Sequence, residues 1–164
     1  MDTVEEWACK IAEVSAYDEV DLAPFIVEAF ISGGQEKEAL FHQSKGGVLG
    51  AFDPASIGVG ILQWVFEAMS HAAPVLYHIL GAATVHVALY LNDRLSHKQE
   101  LQPLPEDTYI QIKKFTESVT DKLQPLDLST EQCELIAYRV LQVLLENPSS
   151  AKIFIKKLES SSHE

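Results

Sequence analysis

Apolar residues recur along most of this chain at steps of three and four, the spacing that lines one side of an α-helix. The first run is Val4, Trp7, Ala8, Ile11 and Val14. Thr3 precedes it with Glu6 three residues on, a capping box, so a first helix is expected to about Ser15. After a turn at Tyr17 and Asp18, Asp21 is placed to cap a second helix with Pro24 in its first turn. Leu22, Phe25, Ile26, Ala29 and Phe30 form its apolar face until Gly33 and Gly34 stop it. A short third helix fits residues 35–43, ended by the glycine-bearing stretch 44–47. Asp53 before Pro54 is the next start signal, with helix expected over 57–69, and Pro74 opens another that reads as continuous over 74–95.

The stretch 96–105, with Pro103 and Pro105, interrupts the pattern and is the best internal sub-boundary in what reads as one helical domain over 1–159. Pro105 starts a sixth helix with Tyr109, Ile112, Phe115, Val119 and Leu123 on one side. Ser129 and Gln132 make a second capping box, before a helix with Cys133, Ile136, Ala137, Val140, Leu141 and Leu144 turned inward. Asn147 and Pro148 end it, Ser149 or Ser150 caps a last helix through Ile153, Phe154, Ile155 and Leu158, and the tail 160–164 frays. Strand patterns are scarce. The expected fold is all-α, a compact bundle of about seven helices around a central apolar helical hairpin at 54–95.

That apolar segment has two readings. Between Asp53 and Asp93 the only formally charged side chain is Glu67, and a helix apolar on every side is buried in protein or in lipid. The protein reading is favoured, because the first arm offers about thirteen charge-free positions before Glu67 where a span needs ~17–25. The amphipathic helices on either side also need something apolar to cover. In the alternative, 54–91 inserts into a bilayer as a hairpin, with Gly58, Gly60 and Gly81 allowing close helix contact and Lys45, Arg94 and Lys98 flanking it. In either case Trp64, Phe66, His78, His86 and Tyr90 are the candidate interaction or membrane-contact residues.

Charge narrows the partners. The formal net charge is −12, with acids concentrated between Asp2 and Glu38 against Lys10, Lys37 and Lys45 over the first 52 residues. Nucleic acid is not an expected partner, because phosphate neutralisation needs a basic stripe. Lys152, Lys156 and Lys157 read instead as the cationic end of the last helix. No basic or apolar leader follows Met1, so a cytoplasmic location is expected, or a membrane-associated one under the hairpin alternative. Cys9 and Cys133 have neither CxxC spacing nor a nearby histidine pair and read as buried thiols.

Candidate chemistry is sparse. Glu67, His71 and His78 come within one face if a single helix runs through them, and carboxylate with imidazole could hold zinc or iron; Pro74 interrupts that helix, and hydrogen-bonded histidines are the better reading. His86, Tyr90, Asp93 and His97 could line a proton path, although they fit equally the polar side of a helix leaving the core. No Gly-x-Ser-x-Gly elbow is present. Gly46, Gly47 and Gly50 lack the rest of a phosphate loop, and Gly58 with Gly60 lacks the third glycine of a dinucleotide fingerprint. Trp7 and Trp64 read as core. No cofactor and no catalytic residue is expected. The function that fits is a non-catalytic helical interaction module, a signalling or adaptor unit whose partner is another protein or a second copy. The alternatives are the membrane-active hairpin and a ligand- or metal-binding helical bundle.

Overall fold

Thr3 Oγ1 accepts from the Glu6 N–H at 3.1 Å while the Glu6 carboxylate accepts from the Thr3 N–H at 2.8 Å. These reciprocal bonds open α1, Val4–Ser15, in the computed structural model, which describes residues 3–46, 60–82 and 84–160. The described residues are all-α: nine α-helices, two short 3-10 helices and no strand. Asp21 does not cap the second helix. It lies inside a 3-10 turn, Tyr17–Leu22, and α2 runs Ala23–Ser32 with Pro24 in its first turn and no side-chain cap. Gly33 ends α2 at φ +71°, a conformation that glycine reaches without strain. The third helix, α3, is longer than expected, Gly34–Gly46.

The expected start at Asp53 and Pro54 lies outside the described residues. The next described helix, α4, is Leu62–His71, preceded by Gly60 and by Ile61 at the cap position. Its first turn carries no capping side chain of its own. The caps come from elsewhere: Glu19, in the 3-10 turn and 8% exposed, accepts from the Ile61 N–H at 2.7 Å and from the Leu62 N–H at 3.1 Å. A carboxylate is suited to that place, because an uncapped helix start presents unpaired N–H groups and partial positive charge. Next to it, the buried Gln63 amide donates to the Leu40 carbonyl at 2.9 Å and ties α3 to α4. A side chain at Gly60 would run into that amide and have to displace it.

The arm expected as one helix over 74–95 is two. α5, Ala73–Leu80, and α6, Thr84–Leu95, meet at 109°. The break follows from burial. α5 faces the core with Ala73, Leu76, Ile79 and Leu80, whereas Val87, Tyr90 and Leu91 are buried only because α6 turns onto another helix. Gly81, a poor helix former, sits at the turn. α7, Glu106–Leu123, follows Pro105 as expected, and a 3-10 turn, Gln124–Leu126, leads to α8, Thr130–Leu145, whose capping box forms at 3.1 and 2.9 Å. The last helix, α9, is Pro148–Ser160. Its start is capped by Asn147, which accepts from the Ser150 N–H at 3.3 Å, and not by either serine. Residues 161–164, the rest of the expected tail, lie outside the described residues.

α4 is the centre of the bundle: α1, α2, α5, α7 and α9 all pack on it. Phe66 is the hub of an aromatic chain, 5.8 Å from Phe30 of α2 and 6.1 Å from Phe154 of α9, and Phe154 stacks on Trp7 of α1 at 5.9 Å. Trp7 is core, and its indole N–H reaches Ser150 Oγ at 2.9 Å. Helices on either side of 96–105 pack on one another, α4 with α7 and α6 with α8. Cys133 is buried, while Cys9 is half-buried, and both thiols are free.

Glu19→Ala would leave the start of α4 without its acceptor and is expected to cost about 1–3 kcal/mol in chemical denaturation. Burial lifts the Glu19 carboxyl above its ordinary value, with Asp18 adding to the effect and the two backbone N–H groups opposing it. A raised native pKa means that the fold binds this proton more tightly than the unfolded chain. The stability it contributes is full below the ordinary carboxylate range and is lost as pH rises through the raised native value. Relative to wild type, the non-titrating Glu19→Gln should therefore gain stability as pH rises through that interval, read by urea melts at closely spaced pH values.

Candidate functional site

The structure separates the residues that the sequence grouped as a metal candidate. Glu67 and His71 meet across one turn of α4 at 3.0 Å, with Lys37 of α3 at 3.7 Å from the same carboxylate. His78, carried on α5 beyond the Pro74 break, instead pairs with Asp107 in the first turn of α7 at 2.7 Å. Among the described residues no three His, Cys, Asp or Glu side chains come together as a metal would require. Phe66 is core, and Trp64 is half-buried with its ring against Phe41 at 4.6 Å.

The row on α6 also has separate partners. Tyr90 is buried edge-on against Tyr109 at 6.2 Å. His86 is exposed and meets the Gln102 amide at 2.9 Å. Asp93 accepts from the Gln102 N–H at 3.0 Å and lies 3.6 Å from Lys98. His97 lies in the turn just past the helix, at φ +59°. Asp93 and His86 thus fasten the segment after α6 back onto the helix that it leaves.

Helix α6 is apolar in sequence but buried on one side only. Val87, Tyr90 and Leu91 face α8, while Val85 is 69% and Leu89 46% exposed. Beneath its C-terminal half, α6, α7 and α8 line a half-open hollow of about 340 Å³ walled by Tyr90, Tyr109, Ile112, Thr116 and Tyr138. Lys113, Glu117, Asp121 and Glu134 stand around it. A second hollow of about 330 Å³ shares Arg94, Glu134 and Tyr138 and extends past Lys98, Leu101 and Leu135. The two adjoin, with Arg94, Glu134 and Tyr138 as their common wall, and are called the groove below.

Arg94 lies over the Tyr138 ring at 5.3 Å, and its Nη2 donates to the Tyr138 hydroxyl at 3.0 Å. That is the one hydrogen bond its guanidinium makes among the described residues, out of five N–H donors. Thr116 and Thr120 spend their hydroxyl protons on carbonyls of their own helix at 2.9 Å, so they offer the groove acceptors only. Burial pushes the Tyr90 and Tyr138 phenols up, with Arg94 partly offsetting it, which keeps both protonated near neutrality. Neutral phenols beside a held guanidinium offer donors to an acceptor group, and Glu134, which lines both hollows with Arg94, is an acceptor already beside them. Sequence reasoning missed this site, because Arg94 and Tyr138 lie on different helices and neither belongs to a local pattern.

No family model matches the chain, and no curated protein and no solved structure matches it. The groove therefore has to be read from its own chemistry. Tyr138→Phe removes the hydroxyl that holds Arg94 and keeps the ring. It should cost about 0.5–1.5 kcal/mol in thermal or urea unfolding and leave the helical circular dichroism unchanged.

Proposed function

We propose that this chain is a non-catalytic helical interaction module that acts by self-association and presents the groove between α6 and α8 to another protein. The observation behind this reading is Arg94, a guanidinium held by one tyrosine between two hollows, with most of its donors left for a partner's acceptor. An acidic side chain flanked by aromatic residues fits, since the walls are tyrosine rings that pack on aromatic edges. The partner is a protein segment or a second copy, with no cofactor in the reading. Light scattering on the eluting full chain in detergent-free buffer tests the self-association arm. A small oligomer whose population rises with concentration is the expected result, and aggregation relieved only by detergent would sink it. A blocked peptide with aspartate between aromatic residues tests the groove. It should shift the Arg94 Nε–H resonance in wild type and not in Tyr138→Phe, where the guanidinium is no longer held.

A second reading places α6 on a bilayer. Among the described residues no single helix is long and apolar enough to cross a membrane, but the bent pair Ala73–Leu80 and Thr84–Leu95 has the length and composition of a broken span. The outward Val85 and Leu89 favour this reading. Flotation with phosphatidylcholine vesicles checks it: binding lost in Leu89→Asp would support a membrane surface, and no binding by wild type would remove it.

A further inference from the structure

The groove between α6 and α8 is lined by charges of both signs, and burial divides them. Lys113, Glu117 and Asp121 of α7 are exposed, as are Lys98 and Glu131. Lys98 already has Asp93 at 3.6 Å. Arg94 and Glu134 differ: both are half-buried, and both line the two hollows alike. Glu134 stands one turn before Tyr138 on α8, so it neighbours on the same helix face the residue that holds Arg94. Among the described residues, however, no ion pair joins Glu134 to Arg94, and the Glu134 carboxylate makes no hydrogen bond. A guanidinium with spare donors and a carboxylate with spare acceptors thus border the same space. Partial burial makes unpaired charge costly, which favours a ligand that pairs with both.

A plain carboxylate drawn to Arg94 meets Glu134, and a plain ammonium drawn to Glu134 meets Arg94, so a single charge is opposed in either case. A small molecule that carries both charges satisfies both residues. It is also neutral overall, and a chain of net charge −12 does not repel it as it repels an anion. Size and walls define the rest. The larger hollow, about 340 Å³, is at the small end of ligand sites, which run to roughly 300–1,000 Å³. Away from the charged pair it is walled by Tyr90, Tyr109 and Ile112, which suit an aromatic or branched apolar side chain. We propose that the groove binds a free apolar α-amino acid, with its carboxylate on Arg94, its ammonium on Glu134 and its side chain against Tyr90, Tyr109 and Ile112. This goes beyond the partner reading, which uses Arg94 alone, and makes the amino acid a competitor for the same groove.

Calorimetric titration of the full chain tests it with L-phenylalanine, L-leucine and two probes that each lack one charge. These are 3-phenylpropionate, without the ammonium, and 2-phenylethylamine, without the carboxylate. L-Phenylalanine should bind about tenfold or more tighter than either of them. Glu134→Gln should erase its advantage over 3-phenylpropionate, and Arg94→Gln its advantage over 2-phenylethylamine. Each variant loses a different advantage, a pattern that general unfolding does not produce, and circular dichroism of both confirms an intact bundle. If neither amino acid binds wild type, or L-phenylalanine binds no better than the singly charged probes, the site is overturned. The partner reading still stands in that case if the blocked aspartate peptide shifts the Arg94 Nε–H resonance. Binding of L-phenylalanine that survives both substitutions unchanged lies elsewhere on the chain and also overturns the site. An amino acid that binds as expected while the peptide does not supports this site and removes the partner reading.

Discussion

The start of α4 is the constraint on which the arrangement depends. α4 is almost wholly buried and begins with Ile61, Leu62 and Gln63, none of which can cap a helix through its own side chain. Unpaired N–H groups there would each cost free energy comparable to a lost hydrogen bond. Glu19 supplies the acceptors from a segment far away in sequence, so the 3-10 turn after α1 must lie against the end of α4. That placement sets α1 and α2 alongside it. With both in position, Phe66 falls between Phe30 and the space that Phe154 fills, and α9 completes the packing over Trp7. A buried ionised group is costly, and the cost is lessened here because both carboxylate oxygens accept from backbone N–H groups.

The sequence makes legible what is local. Both capping boxes could be read because donor and acceptor are three residues apart, and they set the starts of α1 and α8 to the residue. Pro24, Pro74 and Pro105 marked helix starts for the same reason: the constraint lies within one turn of the residue that imposes it. The all-α class and the inward faces of α7 and α8 follow from periodicity, apart from Tyr109 and Ile136, which are only partly covered. What could not be read is long-range. Asp21 looked like the cap and Glu19 is one, for a different helix. Asn147 was read as a stop and also starts the next helix. The Arg94 and Tyr138 pair that defines the groove has no trace in either local pattern.

The apolar stretch shows how composition differs from burial. A straight helix over 74–95 would be apolar on every side, which suggests complete enclosure. The turn between α5 and α6 divides it instead. α5 buries Ala73, Leu76, Ile79 and Leu80 and leaves Pro74 and His78 exposed, whereas α6 lies on α8 with Val85 and Leu89 outward. The expectation of a central apolar segment holds for α4 and α5, and the surplus apolar area is on α6. Isolated apolar side chains at a surface are ordinary. These two share helix α6 with Arg94 and line neither hollow.

Helix α8 lies between the groove and the α1 and α9 side of the bundle. On one side it packs on α6 and α7 and contributes Glu134 and Tyr138 to the groove; on the other it packs on α1 and α9. Its buried residues Cys133, Ala137, Val140, Leu141 and Leu144 serve both sides at once. A substitution among them would disturb both sides and distinguish neither, because close-packed cores transmit changes of even one methylene. Tyr138 is buried in the core as well as lining the groove, so Tyr138→Phe, which keeps the ring, is the change that leaves the shared scaffold in place.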